Sequence, residues 1–278
     1  MQSNLDIKTV EGFGEEWTRF DQSGMSASEI SQQFERYFKV FPWDKLPDNA
    51  VGFDLGCGSG RWAKIAAGRV GKLHCIDASA DVLSVAEQHL ADIPNAEFHL
   101  ASVDAIPLDD ESMDFGYSLG VLHHVPDTTA GIRACVQKLK QGAPFLVYLY
   151  YAFDNRPGWF RAIWKGSDLI RRGISALPFG PKKTIADLIA VFVYFPLATI
   201  SLLLEKLGFN VDVLPLSTYR RHSFYTMRTD ALDRFGTSLE QRFTRDQIAA
   251  MMTAAGLVDV QFSDETPYWC AVGFRNNY

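Results

Sequence analysis

A chain of 278 residues, 47% hydrophobic and 22% charged, has room for one large domain with a sizeable insertion and shows no disorder-type bias. Its formal charge of -6 argues against a general nucleic-acid binder, because neutralising phosphates needs a basic face. The charge is uneven: residues 152–240 hold twelve Lys/Arg against eight Asp/Glu, net +4, while the remainder holds fifteen against twenty-five, net -10.

The polar stretch Met1 to Val10 lacks a charged-then-apolar secretory pattern. Cys57, Cys75, Cys135 and Cys270 form no C-x-x-C pair, which reads as reduced thiols in a cytoplasmic protein rather than a disulfide framework or a zinc site. Residues 11–49 place Phe13, Trp17 and Phe20, then Ile30, Phe34, Tyr37, Phe38 and Phe41, at helical spacings. They read as a helical cap over residues 1–49, either packed on a sheet edge or closing as a lid with Arg19.

An apolar strand, Val51–Leu55, then runs through Asp54 into Gly56-Cys57-Gly58-Ser59-Gly60. A plain strand-to-helix turn would account for these glycines, and three nucleotide-type cofactors also suit them. ATP or GTP wants a Gly-Lys-Ser/Thr ending, but Arg61-Trp62 follows Gly60. A dinucleotide wants G-x-G-x-x-G and no anion beside its pyrophosphate, whereas this loop reads G-x-G-x-G with Asp54 two residues before it. A carboxylate there suits S-adenosylmethionine, which carries an ammonium and a sulfonium and no phosphate.

Strand and helix alternate from this point. Helices are expected over about 60–68, 80–90 (capped by Ser79) and 128–140, and strands over 72–77, 96–102, 113–120 and 144–151. Such βα units imply a parallel sheet with helices on both faces. Thr244-Arg245-Asp246-Gln247 is a capping-box sequence. The last two strands, 258–263 and 268–274, are joined by too short a link for a crossover, so they must pair antiparallel.

With these elements in place, the chain resembles the class I S-adenosylmethionine-dependent methyltransferases over about residues 50–151 and 243–275. The resemblance implies a doubly wound, Rossmann-like α/β sheet of seven strands ending in an antiparallel hairpin. A core of 50–151 and 243–278 would bind the cofactor, and a mostly helical insertion at 152–242 would separate strands five and six. It further implies that Asp54, Gly56, Cys57, Gly58 and Gly60 hold the methionine part, Asp77 the ribose hydroxyls, and Ala78 the adenosine. Asp77 stands seventeen residues after Gly60. Val103, Asp104 and Ala105 match the segment around the adenine, with a loop-capping carboxylate as the alternative for Asp104. Leu119 and Gly120 match the cofactor-contacting end of strand four. In the following His123-His124 pair, His124 is the preferred general base, and a histidine that merely hydrogen-bonds a loop is the competing reading. No metal is implied, since Asp109-Asp110-Glu111 reads as a solvated turn.

Tyr150, Tyr151, Asn155 and Arg156 follow strand five, where a substrate pocket opens in such sheets, and plain packing competes for the tyrosines. Within the insertion, 185–204 is strongly apolar. Asp187 and Pro196 argue against a bilayer span, so the first reading is a buried helix pair forming a lid or homodimer contact. A peripheral membrane patch beside Arg171, Arg172, Lys182 and Lys183 is the second. Arg220, Arg221 and Arg228 suit an anionic acceptor or salt bridges to the acidic core. The expectation is methyl transfer to a small-molecule or lipid-like acceptor, at a hydroxyl oxygen. A cofactor-binding but non-catalytic scaffold is the alternative, and a nicotinamide oxidoreductase is disfavoured by Asp54.

Overall fold

A computed structural model describes residues 3–19 and 25–276, without the side chains of 15–19. The lid roles expected of Trp17, Arg19 and Phe20 therefore lie outside the described residues. The chain divides into two compact units, one comprising residues 1–22, 30–152 and 239–278, the other 23–29 and 153–238.

The first unit begins with α1 (Ile7–Arg19) and most of α2 (Ala27–Tyr37). Then β1 (Val51–Leu55), α3 (Arg61–Ala67), β2 (Lys72–Asp77), α4 (Ala80–His89) and β3 (Ala96–Leu100) follow. After these come β4 (Phe115–Leu119), α5 (Thr128–Lys138) and β5 (Pro144–Tyr148). Local chemistry sets the helix starts: Ser79 accepts the Val82 N–H and Asp127 the Ala130 N–H, each satisfying a donor that the first turn leaves open.

The seven strands lie in the order β3-β2-β1-β4-β5-β7-β6. β1 to β5 pair in parallel, and the final strands pair antiparallel as expected. β1 has β2 on one side and β4 on the other. The winding reverses there, leaving a crevice beyond the carboxyl ends of β1 and β4.

Each face of the sheet buries its own apolar layer. One packs Phe53, Phe145 and Ile76 with Ile132 and Leu139 near α5. The other packs Leu73, Phe115 and Tyr117 with Trp62, Phe34 and Phe38. Fully burying such a side chain contributes about 1.5–3 kcal/mol, so Phe34 and Phe38 tie α2 and its flank firmly to the sheet.

The first unit closes with a return segment near residues 239–243 and then α10 (Arg245–Ala254), β6 (Leu257–Phe262) and β7 (Ala271–Arg275). The capping box at Thr244 and Gln247 is formed in both directions. All four cysteines are buried and free.

The second unit holds α6 (Gly158–Ser175), α7 (Phe179–Ile189), α8 (Phe195–Lys206) and α9 (Phe224–Gly236). Ile174, Ala190, Tyr194, Ala198, Met227, Ala231 and Phe235 form its core. Ser223 caps α9 by accepting the Thr226 N–H.

Two expectations for this segment are corrected. Pro196 does not break the chain into a helix pair: α7 runs through a π-turn at Ala190–Tyr194 straight into α8. The wider turn just before Pro196 accommodates its ring and missing N–H, giving one helical run over Phe179–Lys206. Nor is this run buried. Only 22% of its most apolar window is covered, and by length and composition it could cross a membrane.

The three arginines are each paired with an acid of their own unit. Arg220 and Arg221 both hold Glu205, and Arg228 pairs with Asp187 at 2.9 Å, all inside the second unit.

Candidate active site

The glycine loop turns at the carboxyl end of β1 with left-handed backbone at Gly56, Gly58 and Gly60 (φ 76°, 57° and 79°). Gly56 is needed twice over, because a Cβ there would also lie 2.3 Å from Val121 Cγ2 and 2.9 Å from Val121 Cβ. Val121 is branched at Cβ and has no free rotation with which to yield. Gly56→Ala is therefore expected to cost about 2–4 kcal/mol, the sum of left-handed strain and overpacking. Urea unfolding monitored by circular dichroism checks it.

Asp54 lies just before this turn, 1% exposed. Its Oδ2 has no hydrogen-bond partner among the described residues, and neither has the buried Tyr117 hydroxyl. Burial pushes the Asp54 carboxyl up to about 8, Asp77 adds to the rise, and Tyr117 and Arg61 oppose it. An acidic group held out of water with an unsatisfied oxygen is what a cationic ligand group would stabilise.

Asp77 ends β2, where its Oδ2 accepts the Gly58 N–H at 3.1 Å and its Oδ1 the Ser79 N–H at 3.0 Å. Burial raises its carboxyl too, with the backbone donors of Ser79, Gly58 and Ala78 pulling back. Thus Asp77 is fixed against the loop, and Ala78 follows it at the start of the turn into α4. Cys57 is buried, and neighbouring Cys75 together with burial pushes its thiol well up, so it is a packing group rather than a nucleophile.

Val103, Asp104 and Ala105 form a short 3-10 turn after β3. Val103 is buried, and Asp104 Oδ2 accepts the Asn4 N–H at 2.6 Å and the Ser3 hydroxyl at 3.1 Å. Asn4 also reaches the loop after β4: its Nδ2 donates to the Asp127 carbonyl at 2.8 Å, and its Oδ1 accepts the Asp127 N–H at 2.6 Å. The N-terminal segment is thereby clasped over the ends of β3 and β4, and α1 packs along α4. Sequence reading missed Asn4, since its partners lie at least 100 residues away.

Leu119 is buried, while a Cβ placed on Gly120 meets nothing within 4 Å. Gly120 has φ 79° and donates its N–H to Tyr148 O at 3.0 Å, which fixes the turn at the end of β4. An orphaned acid at β1 and open space at Gly120, across the switch point from each other, fit S-adenosylmethionine.

Three and four residues after Gly120, His123 and His124 occupy a 3-10 turn. His124 Nδ1 lies 2.6 Å from Leu239 O. A carbonyl only accepts, so Nδ1 carries the hydrogen and the neutral ring keeps its lone pair on Nε2. Phe13 meets the His124 ring edge-on at 5.1 Å.

His123 is fully buried and stacks on Tyr150 at 3.8 Å. Burial, with His124 and Arg242 adding, holds it well below the ordinary imidazole range, so it remains neutral. Of the pair, His124 is the one whose tautomer is set for accepting a proton at Nε2.

The return segment builds the wall behind them. Phe243 donates to Tyr150 O, Gln241 donates to His123 O and Val125 O, and Tyr151 and Phe243 form a parallel bridge. Arg242 lies 4.9 Å over the Tyr150 ring and pairs with Glu240 at 2.7 Å. Glu240 Oε2 is buried with no hydrogen-bond partner among the described residues. Tyr148 meets Tyr150 and also Tyr37 of α2. Tyr150 and Tyr151 thus join His124 in the first unit, in company with Glu240 and Arg242, which sequence reading did not single out. Asn155 and Arg156 belong to the second unit, where Arg156 donates to Asp212 O and lies 5.5 Å over Phe160.

A further group with metal-ligand atoms, His74, Glu97 and His99, falls at the outer edge of the sheet. There Lys72 pairs with Glu97, and the two imidazoles approach each other at 2.9 Å.

The strand order, the glycine turn at the switch point and the antiparallel hairpin together define the class I methyltransferase fold. A methyltransferase-domain family model matches residues 53–147. Residues 53–147 thus carry a methyltransferase domain, and the fold around them is that of the class I S-adenosylmethionine-dependent methyltransferases.

The ubiquinone biosynthesis O-methyltransferase of Xanthomonas oryzae pv. oryzae (strain PXO99A) is 31% identical over 122 residues, 43% of this chain and 49% of that protein. Phosphoethanolamine N-methyltransferase 2 of Caenorhabditis elegans is 29% identical over 100 residues, 35% of this chain and 23% of that protein. The chain spans about half the length of the first of these relatives, and less of the second. Human N-acetylserotonin methyltransferase, solved with S-adenosylmethionine, shares the fold at TM-score 0.55 and 17% identity, over 96% of this chain and 57% of that one.

Proposed function

We propose that this protein transfers a methyl group to a hydroxyl oxygen of a small, aromatic or lipid-like acceptor. S-adenosylmethionine, when bound, supplies an electrophilic methyl on a sulfonium. The chain's own residues do the rest. Asp54 offers a carboxylate to the cofactor's ammonium, Asp77 receives the ribose hydroxyls, and the turn at Val103–Ala105 flanks the adenine. His124 Nε2 takes the proton that the acceptor hydroxyl gives up, while Nδ1 keeps its hydrogen bond to Leu239 and holds the ring still.

The observation that carries this reading is the locked His124 tautomer at the end of β4, where the methyl group faces the acceptor in this family. An amine acceptor entering as the free base needs no such group, so the histidine favours oxygen. The matched O-methyltransferase relative agrees with it. Tyr148 and Tyr150 supply aromatic edges and hydroxyls beside Arg242 and Glu240, a wall suited to an aromatic acceptor.

The test is to incubate the chain with S-adenosylmethionine and a panel of catechols, phenolic quinol precursors and phosphoethanolamine, reading S-adenosylhomocysteine by mass spectrometry. Turnover on phenolic acceptors supports the proposal. Turnover confined to the amine refutes oxygen transfer, and cofactor binding without turnover on any acceptor supports the scaffold reading instead.

A further inference from the structure

The continuous helix Phe179–Lys206 is apolar on both of its faces. Its inner stripe, Ala186, Ala190, Tyr194, Ala198 and Ser201, is at most 3% exposed and packs within the second unit, toward α9. Its opposite stripe carries Leu188 (50% exposed), Phe192 (71%), Phe195 (51%) and Leu203 (55%), at spacings of four, three and eight that keep them on one face. A helix on a water-facing surface turns polar residues outward. Here the outward residues are large and apolar instead.

α6, which packs on α9 and α7, shows a second apolar stripe in Trp159, Ile163 and Ile170, each 48–60% exposed. Beside it stand exposed Arg161, Lys165 and Arg172. The sole acid of α6, Asp168, is already held by Arg171 and Arg172. Lys206 closes α8, also exposed.

We propose that the second unit docks on an anionic lipid bilayer from one side. The outward stripes of α6 and of the Phe179–Lys206 helix enter the acyl boundary, and Arg161, Lys165, Arg172 and Lys206 meet the headgroups.

Charge decides between the candidate occupants. The second unit holds twelve Lys/Arg against eight Asp/Glu. A second copy would set one basic rim against another, whereas an anionic bilayer is complementary to both the apolar stripes and their cations. Seating rather than spanning follows from the inner stripe. To cross a bilayer alone, the helix would have to leave α9 and break the bond of Asp187 with Arg228, stranding an acid in hydrocarbon. The inference is independent of methyl transfer, and its failure leaves that proposal untouched.

The test uses the full chain in flotation with vesicles of phosphatidylcholine alone or mixed with phosphatidylglycerol. The wild type is expected to float with the mixed vesicles and to be released by high salt or alkaline carbonate. The double variant Phe192→Asp/Leu203→Asp is expected to lose binding at least about tenfold, and Arg161→Glu/Lys165→Glu to lose the dependence on phosphatidylglycerol. Both variants should retain wild-type S-adenosylmethionine affinity and far-ultraviolet circular dichroism, which separates lost docking from lost folding. Three results would each overturn the proposal: no flotation of a folded wild type, a dimer in solution that Phe192→Asp/Leu203→Asp dissociates, or resistance to carbonate, which indicates a span.

Discussion

Asp54→Asn is expected to weaken S-adenosylmethionine binding by about 100-fold or more, and at the same time to raise the melting temperature of the ligand-free chain. Both effects come from one buried oxygen that has no hydrogen-bond partner among the described residues. Removing one member of a buried ion pair costs about 3–5 kcal/mol, which sets the scale of the binding loss. The stability effect has the opposite sign because in the ligand-free chain Tyr117 and Arg61 offset only part of the cost of burying the carboxylate.

Burial holds the folded carboxyl up at about 8, well above the ordinary carboxylate range. A raised value means that the linked stability is fully present below the unfolded pKa and is lost as pH climbs through the window up to about 8. Asparagine has no proton to lose. Near neutral pH and above, the variant should gain about 2 kcal/mol, or roughly 4–8 °C in Tm. Binding carries a matching pH signature: wild-type affinity should rise with pH toward about 8, because the acid must ionise to meet the ammonium. Titration calorimetry in two buffers of different ionisation enthalpy should show proton release near neutral pH for the wild type and none for Asp54→Asn. Equal affinity in the two proteins would remove Asp54 from the cofactor site.

The residues behind that prediction were legible in the sequence, and the reason is locality. Asp54, the three glycines and Asp77 lie in one strand-turn-helix-strand unit whose spacing fixes their relation. Ser79 and the Thr244 capping box are signals complete within four residues. What sequence could not give was anything assembled across the chain. Asn4 reaches Asp104 and Asp127 over 100 and 123 residues, and Leu239 fixes the His124 tautomer over 115. Glu240 and Arg242 look like ordinary solvated charges until the return segment runs beside Tyr150 and Tyr151.

The apolar run at 185–204 failed for a different reason. Hydropathy measures how strongly a side chain avoids water, and it is the same whether protein or lipid provides the cover. Proline, moreover, breaks a helix only where the preceding turn cannot widen. The π-turn at Ala190–Tyr194 provides that widening.

His124→Gln is expected to lower kcat on a phenolic acceptor by about 10²–10⁴-fold, with little change in S-adenosylmethionine affinity. Glutamine keeps a donor for Leu239 O and much of the ring's bulk, but it cannot accept a proton near neutral pH. A role in packing alone would make glutamine nearly silent. A role in proton transfer also predicts a pH profile. The variant should keep only a small rate that rises as the acceptor hydroxyl itself ionises. Acceptors of lower pKa should therefore recover most of the lost rate in His124→Gln and gain little in the wild type. His124→Ala adds a structural control: by releasing Leu239 it should loosen the return segment and raise the acceptor KM, an effect that glutamine should not share. If His124→Gln retained kcat within about threefold, alignment of the acceptor would suffice for transfer and the proton would leave by another route.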